Sequence, residues 1–114
     1  MSCNNQLKEN YGLFIGGEWR PASDGTTYQS TNPANGEVLT QCAQATKEDV
    51  DAAVAAAWKA FPEWKKTTKE ERAAILDKIA DRVEENQEWL AKVETMDNGK
   101  PIRETMAIDV PYSI

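Results

Sequence analysis

The side chains able to do chemistry here are few in kind. The chain has two cysteines, Cys3 and Cys42, no histidine, and 19 aspartates and glutamates against 13 lysines and arginines. Without histidine there is no Ser-His or Cys-His pair and no imidazole to hold a metal. Two cysteines make neither a four-thiolate zinc site nor a disulfide framework. A reactive thiol needs its pKa lowered by a helix N-terminus or a neighbouring cation, and neither cysteine has an obvious source of either. Cys42 is expected to be a small packed residue and Cys3 an incidental thiol. Carboxylate pairs recur at i, i+4, as in Asp77/Asp81 and Asp81/Glu85. Acid and base work would need a cleft and one pKa raised by burial. These acids are interleaved with Lys78 and Arg82, which fits a solvated helix face instead. Asp97-Asn98-Gly99 lacks the ligand spacing of a calcium loop.

Nucleotide motifs are also missing. Glycines stand at 12, 16, 17, 25, 36 and 99, and no three fit G-x-G-x-x-G. The phosphate loop needs a glycine where Glu94 precedes Gly99-Lys100. There is no Gly-x-Ser-x-Gly nucleophile turn. A net charge of −6 argues against binding a phosphate backbone, which takes clustered Lys and Arg. Of the four tryptophans, Trp58 and Trp89 fall on helical stripes, where core packing is expected. Trp19 and Trp64 fall beside turns.

The elements that must position any site can be read from the punctuation. Residues 1–10 are polar and without period, and are expected to be a disordered tail. Leu13-Phe14-Ile15 and Glu18-Trp19-Arg20 flank Gly16-Gly17, the pattern of a tight hairpin whose turn needs positive φ. A second hairpin is expected between Thr26–Thr31 and Glu37–Ala43, around the Asn32-Pro33-Ala34-Asn35-Gly36 turn. At Thr46 the period changes from two to 3.6. Thr46-Lys47-Glu48-Asp49 resembles a capping box. Val50, Ala53, Val54, Ala57, Trp58 and Phe61 then form one apolar stripe, and six of residues 52–60 are alanine. Pro62 is expected to stop this helix.

Thr68-Lys69-Glu70-Glu71 is a fuller capping box, followed by the stripe Ala73, Leu76, Ile79, Ala80 and Val83. The pattern restarts near Asn86 with Trp89, Leu90, Val93 and Met96, and ends at Asn98-Gly99. Pro101 opens a fourth piece. No apolar run approaches the ~18 residues of a membrane span. No secretory signal is visible at Met1-Ser2-Cys3, so a soluble cytoplasmic chain is expected. The layout is α/β: two short hairpins, then three to four helices. Strand pairs this short do not make a stable sheet alone, so the chain reads as part of something larger.

Five stretches together resemble the N-terminal region of NAD(P)-dependent aldehyde dehydrogenases. They are Leu13-Phe14-Ile15-Gly16-Gly17-Glu18-Trp19, then Thr31-Asn32-Pro33-Ala34-Asn35-Gly36-Glu37-Val38, then the alanine-rich Lys47–Ala57. Arg72–Asp81 and Glu94-Thr95-Met96-Asp97-Asn98-Gly99-Lys100-Pro101 follow. Each is weak alone; the ordered set is specific. The resemblance runs from about Leu13 to Ile114. It implies that residues 11–114 are the start of a Rossmann-like cofactor domain, incomplete at its C-terminal end.

The implied parent reaction is NAD- or NADP-dependent oxidation of an aldehyde to a carboxylic acid through a cysteine thioester. The catalytic cysteine, the general-base glutamate and the nucleotide-binding glycines match no position in these 114 residues, so the chain alone is expected to be inactive. The resemblance also implies a monovalent cation held by backbone carbonyls of Ser30 or Thr31 and by Asp109; oxygen ligands suit a hard ion. The aldehyde would be met only through the rest of the parent, which is expected to be a homodimer or homotetramer. No nucleic-acid or membrane partner is expected. Two other outcomes stay open: a non-catalytic module that docks on a full-length dehydrogenase subunit, or a truncated product without function.

Overall fold

The computed structural model describes residues 6–114. Cys3 and the first half of the expected tail lie outside the described residues. In chain order the elements are β1 (Asn10–Tyr11), β2 (Leu13–Ile15), β3 (Glu18–Arg20), β4 (Thr27–Thr31), β5 (Val38–Ala43), α1 (Lys47–Trp64), α2 (Lys69–Glu85), α3 (Gln87–Asn98) and α4 (Ile102–Glu104). A π turn over Thr105–Asp109 and a 3-10 turn over Pro111–Ser113 complete the chain. Two compact bodies form, one from Leu7–Ser30 and Leu39–Thr67, the other from Thr31–Val38 and Thr68–Ile114.

In the first body, β2 and β3 pair antiparallel with Phe14 opposite Trp19. Gly16 and Gly17 turn the chain at φ 64° and 90°, values that glycine adopts without a Cβ clash. The Phe14 and Trp19 rings meet at 5.1 Å. The other sheet has the order β1-β5-β4. Hydrogen bonds Asn32 N–H to Glu37 C=O and Gln44 N–H to Thr26 C=O bracket β4 and β5 in the antiparallel sense of a hairpin.

Strand β1 corrects the expected tail at its end. Asn10 and Tyr11 pair parallel with Gln41 and Cys42, Gln41 N–H donates to the Glu9 carbonyl at 2.9 Å, and the buried Thr40 hydroxyl donates to the Lys8 carbonyl at 2.7 Å. A two-residue strand whose partner lies some thirty residues away leaves no local period to read.

Helix α1 opens on the capping box expected from its sequence: Asp49 N–H donates to the Thr46 hydroxyl, and Thr46 N–H donates to the Asp49 carboxylate. Its end differs from expectation, because the helix continues through Pro62 to Trp64. A proline one turn from the end sacrifices little beyond its own missing N–H, and the turn still closes with Lys65 N–H on the Phe61 carbonyl at 2.9 Å. A groove between the β2–β3 turn and α1 is lined by Phe14, Ile15, Gly16, Ala53, Ala56 and Ala60.

The second body holds α2, α3 and the C-terminal turns. The Thr68/Glu71 capping box forms as expected. Helix α3 ends at Gly99, left-handed at φ 82°. The packed centre lies between α3 and the C-terminal segment, where Ala91, Thr105 and Val110 are buried. Gln87 Nε2 donates across it to the Met106 carbonyl at 3.0 Å.

The helical stripes do not build a core. Trp58, expected to pack inside, is 68% exposed and Leu76 is 65% exposed; Val50, Val54, Phe61 and Ile79 are exposed with them. Trp89 is half-buried. The apolar periods are real, but the described residues cover those faces only in part: Ala53, Ala80 and Val83 are half-buried while their larger neighbours stay exposed.

Candidate functional site

Each body concentrates its polar chemistry in one place. In the first, Asp49 is 3% exposed. Its carboxylate accepts from Ser23 N–H and Thr46 N–H, each at 3.0 Å, and from the Thr46 hydroxyl at 3.0 Å. The Arg20 guanidinium stands 3.7 Å away. The Ser23 and Thr46 backbone N–H groups hold its pKa down at about 2. The arrangement ties β3 and the Ala22-Ser23 turn to the start of α1. The donors converge on Oδ2 and hold the carboxylate ionised, which makes it a structural clip.

In the second body, the two turn motifs of the sequence are brought together. A Cβ at Gly99 would stand 3.0 Å from the Pro33 ring, so the Asn32–Gly36 turn rests against the end of α3. Asn32 caps its own turn through Ala34 N–H to Oδ1 at 2.9 Å. Beyond Gly99, Lys100 N–H donates to Asn98 Oδ1 at 2.8 Å. The Lys100 ammonium reaches Asp109 Oδ2 at 2.8 Å and Glu94 Oε1 at 3.5 Å. Hydrogen bonding to Asp109 raises the Lys100 pKa, with further support from the charges of Asp109 and Glu94. The π turn that carries Asp109 is closed by Val110 N–H on the Thr105 carbonyl at 3.1 Å.

The expected cation ligands therefore fall as follows. Thr31 ends β4 and opens the turn that meets Gly99, in the same body as Asp109. Ser30 precedes it in β4, within the other body. Asp109 is half-buried and already engaged by an ammonium. Lys100 and Glu94 were absent from the expected set: both lie in the Glu94–Pro101 motif, but their meeting with Asp109 depends on the path of the chain after Pro101. Cys42, on β5, is half-buried with a free thiol. Among the described residues, no three His, Cys, Asp or Glu side chains gather as a metal cluster, and no helix is long and apolar enough to cross a membrane.

Comparison with known proteins places this geometry. The aldehyde dehydrogenase family model matches residues 19–114. Aldehyde dehydrogenase B of Escherichia coli (strain K12) is 52% identical over 109 residues, covering 96% of this chain and 21% of that protein. An aldehyde dehydrogenase of Deinococcus radiodurans is 50% identical over 108 residues, covering 95% and 21% respectively. The NAD+ complex structure of aldehyde dehydrogenase from Bacillus cereus matches with a TM-score of 0.87 at 42% identity, over 92% of this chain and 22% of that one. The chain thus spans about a fifth of the length of the relatives it matches.

Proposed function

We propose that this chain, which belongs to the aldehyde dehydrogenase family, is the N-terminal segment of an enzyme that oxidises an aldehyde to a carboxylic acid through a cysteine thioester. NAD or NADP supplies the hydride acceptor in that reaction. The observation that carries the proposal is the unbroken family match from residue 19 to 114, set against coverage of only about 21% of each curated relative. The five ordered sequence stretches and the TM-score of 0.87 support it.

The residues present do not fit a dinucleotide. Gly16, Gly17, Gly25 and Gly36 make turns and Gly99 closes a helix. None opens a helix after a strand, as a pyrophosphate cradle requires. No step of the reaction is therefore assigned to this segment. Its work is scaffolding. The Asp49 clip and the Pro33–Gly99 contact fix the two bodies internally, and the exposed stripes of α1 and α2 are the faces against which the rest of the parent packs. The parent is a cytoplasmic homodimer or homotetramer in this reading.

A monovalent cation held by the Thr31 carbonyl and the Asp109 carboxylate belongs to the same proposal. The Lys100 ammonium stands at Asp109 Oδ2 at 2.8 Å, so an ion at this carboxylate would have to displace it. When bound, the ion would supply fixed positive charge between the β4 turn and the C-terminal segment, with no part in the reaction itself.

The purified 114-residue chain is expected to reduce no nicotinamide with acetaldehyde, followed by absorbance. Clear reduction would overturn the assignment of catalysis to the rest of the parent. The exposed apolar stripes also favour a second reading, a module that docks on a full-length subunit. Calorimetric titration into an intact aldehyde dehydrogenase separates the two: saturable heat supports docking, and a flat trace rejects it.

A further inference from the structure

We propose that Asn35 is a self-modification site: in the folded chain it deamidates through a succinimide formed with Gly36, ahead of the chemically identical pair Asn98-Gly99. Each pair sets a side-chain amide carbon beside the backbone nitrogen of a glycine, which has no Cβ to obstruct ring closure. The electrophile is prepared alike in both. Glu37 N–H donates to Asn35 Oδ1 at 3.0 Å, and Lys100 N–H donates to Asn98 Oδ1 at 2.8 Å. Negative charge collects on those oxygens when the amide carbon is attacked, and an N–H aimed at them favours it. The amide nitrogens are also held alike, Asn35 Nδ2 on Glu37 Oε2 at 2.9 Å and Asn98 Nδ2 on Glu94 Oε1 at 3.2 Å. All four residues are exposed, so access to water does not separate the pairs.

The nucleophile does. Gly99 N–H closes α3 on the Thr95 carbonyl at 3.0 Å, and Gly99 lies against the Pro33 ring. Turning its nitrogen onto the Asn98 amide unwinds the helix end and gives up that contact. Gly36 N–H closes a single turn, on the Asn32 carbonyl at 2.8 Å, and among the described residues nothing lies within 4 Å of a Cβ built there. One exposed hydrogen bond has to open, and no packing is lost. A solvent base then takes the Gly36 N–H proton, and the nitrogen bonds to Asn35 Cγ. The Cγ–Nδ2 bond breaks, and Nδ2 leaves as ammonia with a proton from water. Water opens the imide to aspartate or isoaspartate. The product adds one negative charge to a chain already at −6, beside the Glu37 carboxylate to which the amide had donated. Isoaspartate also lengthens the main chain inside the turn that Asn32 N–H closes on the Glu37 carbonyl at 2.8 Å.

The test incubates the whole 114-residue chain at mildly alkaline pH, folded and in concentrated urea, and maps its peptides by mass spectrometry. The amide-to-acid mass gain gives the rate at each site, and enzymatic methylation of isoaspartate reports the succinimide route. In urea the two sites are expected to convert at equal rates. In the folded chain Asn35 is expected to convert at least about fivefold faster than Asn98, the factor that one hydrogen bond of about 1 kcal/mol carries. Asn35→Gln is expected to lose the acidic product and most of the isoaspartate. Equal rates in the folded chain, or a faster Asn98, overturn the proposal. So does an Asn35 that converts in urea and stays intact in the fold, or isoaspartate that persists undiminished in Asn35→Gln.

Discussion

The Thr95–Thr105 hydroxyl pair offers a quantitative test of how the second body is held. Thr105 is 0% exposed. Its hydroxyl lies 3.1 Å from the Ile102 carbonyl and 2.9 Å from the Thr95 hydroxyl. A hydroxyl has one proton. The Ile102 carbonyl only accepts, so Thr105 donates there and Thr95 must donate to Thr105. Thr105→Val keeps the shape and removes both bonds. At about 1 kcal/mol for each bond lost, and with the Thr95 proton left without its acceptor, the cost is about 2 kcal/mol. Thr95→Val removes one bond and leaves Thr105 bound to Ile102, for about 1 kcal/mol. The double variant loses the shared bond once, so it should cost about 2 kcal/mol rather than the sum of the single changes, a coupling of about 1 kcal/mol. Urea unfolding followed by circular dichroism of the four proteins measures this. Additive losses would show that the hydroxyls do not interact, and the proton assignment would fall with them.

Other perturbations have equally defined directions. Asp49 has a folded-state pKa of about 2 against an ordinary 3.8, because Ser23 and Thr46 N–H groups favour its ionised form. Its contribution is therefore fully present above about pH 4 and is lost as pH falls through its folded value. Asp49→Asn should flatten that part of the acid-unfolding profile, seen as a smaller change in urea midpoint over the same range. Gly99→Ala meets both a φ of 82° and Pro33 at 3.0 Å, whereas Gly36→Ala meets a φ of 76° with open space around it. Both should lower the melting temperature, the first by more than the roughly 1–2 kcal/mol of left-handed strain that the second incurs alone. Trp58→Lys replaces an exposed ring on α1 and should cost less than about 0.5 kcal/mol. It should also reduce self-association, read by light scattering, since large exposed apolar patches drive it.

Much of the local structure was legible because its causes are local. Thr46 and Thr68 cap helices through side chains three residues away, and Gly16, Gly17 and Gly99 sit where only positive φ continues the chain. The restart at Asn86 was visible as a break in apolar phase. Pro62 misled because a proline near a helix end and one past it leave the same signature, and only the closing hydrogen bonds tell them apart. Strand β1 and the Ser23 bonds to Asp49 were hidden because their partners are distant in sequence.

The sequence by itself determined the order of elements, their caps and turns, and, through five ordered stretches, the family. Those follow from backbone sterics, side-chain reach over a few residues, and a pattern too long to recur by chance. Tertiary structure alone decided that Lys100 stands on Asp109, that Pro33 seats against Gly99, and that the stripe of Val54, Trp58 and Phe61 faces solvent. Periodicity states that a face is apolar. Whether that face is covered depends on which distant segments the chain brings to it.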